Sequence, residues 1–190
     1  MVVARHWLIS RNFMYQQERP ASIAEPDFEG LRSGVRSLLL HDGTLTNALE
    51  AQRFSPTIVE VRDQHETRIG HKESRWLAAA HGTLALRRQV AIRDAHTREL
   101  LVDADSVILM DRLPPTFAQV LAGSTNGLGA ALLRMNLEYR REMLWCGVRT
   151  STDRRESGSQ GRPGLVRCSR IIHAELPVVC IQEVFPIDGD

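Results

Sequence analysis

Two charged residues interrupt apolar stripes in this 190-residue chain. Read as a strand, LALRRQVAIRD (84–94) puts Leu84, Leu86, Arg88, Val90 and Ile92 on one face and Ala85, Arg87, Gln89, Ala91 and Arg93 on the other, because successive side chains alternate. The same test on PVVCIQEVFP (177–186) aligns Val179, Ile181, Glu183 and Phe185, with Val178, Cys180, Gln182 and Val184 opposite. A lone ionised group in such surroundings costs about several kcal/mol unless it is paired, hydrogen-bonded or neutralised. Two arrangements meet that cost. Arg88 and Glu183 neutralise each other as a buried ion pair, or they face a closed polar site. In that site the arginine holds a ligand carboxylate through two N–H groups and the glutamate addresses another polar group of the ligand.

The elements that must hold these two residues are readable in outline. LALRRQVAIRD and ELLVDADSVILM are strand-like runs separated by AHTR, the length of a hairpin loop, and should pair antiparallel. TIVEVRDQ (57–64) alternates and is rich in β-branched residues, LEYRREMLWCGV resumes alternation, and LVRCSRIIH and ELPVVCIQEVFP read as two strands around a turn near His173 to Pro177. LRSGVRSLLLHDGTLTNALEAQRF predicts two short helices, the second starting near Asp42 or Thr44, both good N-cap residues. DRLPPTFAQVLAG opens a further short helix, and STNGLGAALLRMN holds another helical turn. Helical and strand runs do not alternate regularly, so the expectation is an α+β domain with a single antiparallel sheet and helices packed on it. Residues 1–30, with Pro20 and Pro26, read as a loosely attached N-terminal arm preceding a single domain over 31–190, and RTSTDRRESGSQGRPG (149–164) as a mobile loop.

Composition excludes several classes. A hydrophobic content of 43%, a charged content of 25% and a net charge of +1 describe an ordinary soluble globular chain with no electrostatic footprint for nucleic acid. Cys146, Cys168 and Cys180 are odd in number and widely spaced, which suggests buried small hydrophobes and neither a disulfide framework nor a zinc site. The seven histidines show no metal-ligand spacing. No signal-like or membrane-length apolar run occurs, so cytoplasm is the default expectation. STNGLG (124–129) has glycines spaced like part of a phosphate loop but lacks the G-K-[ST] ending. It otherwise reads as a tight turn with free N–H groups at a helix start.

DGTLTNALE, VDADSVILMDRLPP, NGLGAALL with Arg140 beyond it, and RCSRIIHAELPVVCIQEVF resemble, in order and spacing, the chorismate pyruvate-lyase family, particularly its actinobacterial branch, over roughly residues 36–187. The resemblance implies a ligand buried beneath helical flaps on an antiparallel sheet. It also implies conversion of chorismate to 4-hydroxybenzoate and pyruvate without metal or organic cofactor. It places the family's carboxylate-binding arginine on Arg88 and its strand glutamate on Glu183. The backbone contact falls on Leu128, beside Gly129, in a turn that usually reads Pro-Leu-Gly and here reads Gly127-Leu128-Gly129. Leu45 stands where some members line the pocket with methionine, and Arg140 matches a family arginine. The expected partner is therefore the small-molecule substrate, with no nucleic acid and no membrane, and a monomer by default. If burial raised the pKa of Glu183, it would act protonated. Two other readings remain open at this stage. One is an effector-binding module of the kind found in bacterial regulators, although the first 35 residues are short and irregular for a helix-turn-helix. The other is a diverged relative that acts on or binds a related aromatic or cyclic carboxylic acid.

Overall fold

The computed structural model describes residues 6–123, 127–149 and 163–186. Seven strands form one sheet: β1 (Ile23–Ala24), β2 (Thr57–Arg68), β3 (Leu84–Asp94), β4 (Leu100–Ile108), β5 (Tyr139–Arg149), β6 (Gly164–His173) and β7 (Leu176–Pro186). Their order is β1-β5-β6-β7-β4-β3-β2, every pair antiparallel. Two meanders, β2-β3-β4 and β5-β6-β7, are thus zipped together by the long-range pairing of β4 with β7. The helices are α1 (His6–Asn12), α2 (Ser33–Leu40), α3 (Leu45–Arg53), α4 (His71–Leu77), α5 (Phe117–Ala122) and α6 (Gly127–Arg134). This is the expected α+β architecture, with β3 and β4 forming the expected hairpin.

Strand alternation sorts the core into two layers. On one face, Ile92, Val102, Leu165 and Phe185 pack under α2 and α3 through Leu38, Leu39, Leu45 and Leu49. Farther along that face, Ile108, Ile171, Val179 and Ile181 pack under α5 and α6 through Phe117, Leu121, Ala131 and Leu132. The opposite face carries Ala85, Val107, Val166, Cys168, Cys180 and Val184 beneath Trp76 and Leu77 of α4. All three cysteines are buried and free, and burial pushes the Cys146 thiol up to about 12. The β6–β7 turn sets Ala174 and Glu175 at φ 47° and 63°, the left-handed pair that matches the twist of a two-residue hairpin.

The N-terminal segment is seated more firmly than its composition suggests. Ile9, Phe13, Ile23 and Phe28 are buried. The Met14 and Tyr15 N–H groups donate to the Met143 and Leu144 carbonyls at 3.0 and 2.8 Å, on the edge of β5 that the two-residue β1 leaves open and beside a bulge between Met143 and Trp145. Sequence irregularity marked the absence of long elements and was blind to these single anchoring side chains. The loop expected over 149–164 lies almost wholly outside the described residues, as do residues 124–126 at the head of STNGLG.

Gly147 is where the segment meets the sheet most closely. A Cβ at that position would lie 2.5 Å from the Ala24 carbonyl oxygen and 2.8 Å from Arg19 Cδ, with Ile23 also in its way. Gly147→Ala should therefore lower stability by about 1–3 kcal/mol, the usual cost of overpacking, in a denaturant titration. An unchanged midpoint would mean that residues 19–24 do not rest on β5.

Candidate functional site

Between the two apolar clusters on the helix-covered face lies a polar band. The register aligns Arg88, Ser106, Ile181 and Ser169 in a row across β3, β4, β7 and β6. The next row brings Val90, Ala104, Glu183 and Arg167 together. Arg88 and Glu183 therefore share a face, as alternation predicted. They stand two strands and two residues apart, about 12 Å between Cα atoms from standard sheet spacings. Only the short side chains of Ala104 and Ser106 occupy β4 between them.

The two charges do not pair with each other. Arg88 is 5% exposed, and its Nη1 donates to Gln64 Oε1 at 2.5 Å. No carboxylate among the described residues forms a salt bridge with it, and burial holds its pKa below the ordinary value. Gln64 is aimed inward by a bulge in β2. Val59 and Val61 face Ile92 and Val90, but the shift between Val61 and Asp63 brings Gln64, an even-numbered residue, opposite Arg88. Simple alternation along TIVEVRDQ would have pointed Asp63 inward instead.

Glu183 is met by two arginines that the sequence reading did not single out. Arg167, fully buried on β6, donates through Nε to Glu183 Oε2 at 2.5 Å. Its Nη1 donates to the carbonyls of Leu38 at 2.5 Å and His41 at 2.8 Å, so it also satisfies the C-terminal end of α2. Arg141 on β5 donates through Nη1 to Ser169 Oγ at 3.0 Å and lies 3.5 Å from both carboxylate oxygens. The face test applied to RCSRIIH and LEYRREM would have put both arginines among inward positions. What it lacked was knowledge that β6 lies between β5 and β7.

Burial alone would raise the Glu183 pKa, but the charges of Arg167 and Arg141 and their hydrogen bonds outweigh it and hold the carboxyl below its ordinary value. Glu183 is thus an anion at neutral pH, so the condition under which it would act protonated, a pKa raised by burial, is not met. Arg140, matched to a family arginine by the resemblance, is not brought to this band. It points to the opposite face, is half exposed, and lies 3.3 Å from Glu142 and from Glu175. Its neighbour Arg141 is the arginine that turns toward Glu183.

The remaining candidates lie in the covering helices. Leu45 opens α3 and is buried in the cluster under α2 and α3, with Thr44 at the N-cap as one of the two expected positions. Leu128 is partly buried against the cluster under α5 and α6. Gly127, Leu128 and Gly129 form the first turn of α6 and not a free-standing turn. A Cβ on Gly129 would lie 3.2 Å from Thr44 Cγ2, so the missing side chain lets α6 approach the start of α3. Among the described residues no cluster of three or more metal-ligating side chains occurs, and no helix is long and apolar enough to cross a membrane.

The geometry makes a pH-dependent expectation. A carboxyl whose folded pKa is depressed contributes stability that is fully present above its unfolded value of about 4.3 and is lost as pH falls through the folded value. Glu183→Gln leaves two buried guanidiniums without their anion, so it should cost about 3–5 kcal/mol near pH 7. The gap to the unmodified protein should shrink in urea titrations below the carboxylate range. A pH-independent gap would show that Glu183 is not held ionised by its arginines.

Three comparisons relate the chain to known proteins. A family model described as Chorismate pyruvate-lyase Rv2949c-like matches residues 39–188. Proteins named chorismate pyruvate-lyase from Mycobacterium tuberculosis and Mycobacterium bovis are 25% identical over 129 residues, covering 66% of this chain and 65% of theirs. The match thus spans just under two thirds of those relatives' own length. Among solved structures, PhnF from Mycobacterium smegmatis superposes with a TM-score of 0.61 at 12% identity, covering 78% of this chain and 66% of that one. The isolated effector domain of PhnF gives a TM-score of 0.56 at 11% identity, covering 77% of this chain and 90% of that one. At that identity the likeness concerns the fold. Since the family model spans well over half of the sequence, the chain belongs to the chorismate pyruvate-lyase family of the Rv2949c-like type.

Proposed function

We propose that the protein is a lyase that eliminates pyruvate from chorismate to give 4-hydroxybenzoate. The observation that carries this reading is Arg88, a buried guanidinium whose one side-chain partner among the described residues is the neutral Gln64, facing a low floor of Ala104 and Ser106 with an ionised glutamate beyond. Burying such a cation without a counter-charge is costly in the empty protein and favourable when a ligand carboxylate meets it.

Chorismate offers a ring carboxylate, a C4 hydroxyl and an enolpyruvyl ether at C3. Arg88, held in place by Gln64, takes the ring carboxylate. Glu183, as a carboxylate, accepts a hydrogen bond from the C4 hydroxyl and fixes the ring's orientation. The C3–O bond then breaks and its electron pair becomes the pyruvate carbonyl. The C4 hydrogen passes to the enolpyruvyl methylene, and the electrons it leaves form the C3–C4 double bond that completes the aromatic ring. A glutamate held below its ordinary pKa is a poor acid and a weak base, which favours direct transfer within the substrate over a relay through Glu183. The protein's part is to hold the reactive conformer, to exclude water and to place charges. Leu45 of α3 and Leu128 of α6 contribute to the cover, so these helices must part for ligand to enter.

The test is to incubate the purified protein with chorismate and to follow 4-hydroxybenzoate and pyruvate together by chromatography. Equal formation of both is expected, and Arg88→Ala should lower kcat/KM by about a hundredfold or more, the scale of losing a buried charge-assisted contact. No turnover in the unmodified protein, with 4-hydroxybenzoate still raising its melting temperature, would replace this reading with a binding function. Unchanged activity in Arg88→Ala would remove Arg88 from the site.

A further inference from the structure

The band on the covered face carries more positive charge than Glu183 can neutralise. Within the band Arg88, Arg141 and Arg167 are set against the one carboxylate of Glu183, a surplus of two positive charges; the other buried carboxylate described on this face, Asp94, sits at the far end of β3 and is taken up by the N–H groups of His96 and Thr97. Both arginines beside Glu183 also keep unused donors: Arg141 Nε and Arg167 Nη2 are buried and have no hydrogen-bond partner among the described residues. These orphans lie at the opposite end of the band from Arg88. Buried guanidinium N–H groups are normally satisfied, and each one left over is costly.

We propose that Arg141 and Arg167 form a second anion site, so that the pocket is built for a dicarboxylate. Arg88 takes one carboxylate, and Arg141 Nε and Arg167 Nη2 take the other. The inference rests on the reading of this face as the substrate site, and within that reading it assigns the enolpyruvyl carboxylate to the Arg141 and Arg167 end. Glu183 then has two tasks. It receives the C4 hydroxyl, and it holds the two arginines at a spacing that leaves each with one donor free. A dianion offsets the surplus charge completely, whereas a monocarboxylate leaves one cation exposed to burial without compensation. Elimination divides the dianion into two monoanions, each retaining only one of the two anchors, which weakens the hold on both products. Discrimination against monocarboxylates then arises from an unpaired buried charge, the strongest form of rejection available to a polar site.

Binding of non-reacting probes tests this without relying on turnover. 3-(Carboxymethoxy)benzoate carries an ether-linked second carboxylate at the position where chorismate has its own, and benzoate lacks it. By calorimetry the unmodified protein should bind the dicarboxylate at least about tenfold more tightly, a typical increment for one added charge-assisted contact. Arg141→Met keeps the Arg167–Glu183 pair. It should erase most of that preference while leaving benzoate affinity unchanged, and Arg141→Lys should restore part of it. In turnover assays Arg141→Met should raise KM for chorismate without altering inhibition by 4-hydroxybenzoate. Equal affinities for the two probes in the unmodified protein would overturn the proposal, whether or not any variant folds. A preference that persists in Arg141→Met would overturn the role of Arg141. Preference for the dicarboxylate without chorismate turnover would sink the lyase reading alone, and turnover without that preference would sink the second anion site alone.

Discussion

The interaction on which most of this molecule turns is the buried pair between Arg167 and Glu183. Two adjacent strands present these groups directly opposite each other, so the pair ties β6 to β7 in a single register. The same guanidinium reaches the last carbonyls of α2, which links the sheet to the helical cover. A buried ion pair of this kind seldom adds much net stability, because desolvating two charges consumes most of their attraction. Its value here is geometric. It holds Glu183 ionised and oriented and sets the end of α2. Phe185, whose ring lies 5.4 Å from the guanidinium carbon, closes one side.

Around that pair, two irregularities of the sheet do the aiming. The bulge in β2 turns Gln64 toward Arg88, and the bulge in β5 lets Arg141 and Met143 face the covered side while Trp145 turns to the other. The acidic residues of VDADS illustrate the same sorting. Asp103 and Asp105 fall on the opposite face, where they meet Arg62 and Arg87, and leave Ala104 and Ser106 as the small floor of the band. The opposite face thus matches these acids one to one with arginines, whereas the band on the covered face sets three arginines against Glu183. In the helical cover, position 129 lacks a side chain, which lets the first turn of α6 lie close to Thr44 at the start of α3.

Family membership and mechanism stand on different supports. Membership follows from the span of the sequence match. The chemistry rests on what the buried groups can do, and a fold of this kind can serve a regulator's effector as well as a substrate. The proposed lyase chemistry draws on the charge balance of the band, three arginines against one glutamate.

The sequence by itself determined the α+β class, the β3–β4 hairpin, the β6–β7 turn and the inward direction of Arg88 and Glu183. All of these depend on alternation and turn chemistry between near neighbours. The resemblance also led to the right family. Only the tertiary structure decided what Glu183 touches. Its partners Arg167 and Arg141 come from strands brought alongside by long-range pairing, and nothing in a strand's own pattern names the strand next to it. The same limit explains Arg140. Alternation sets it on one face of β5 with Glu142 and sets Arg141 on the other, and the choice between the two arginines required knowing which face lay under the helices. Gln64 was hidden for a further reason. One extra residue in β2 reverses the alternation locally, and a bulge is fixed by the fit of two strands and by no residue alone.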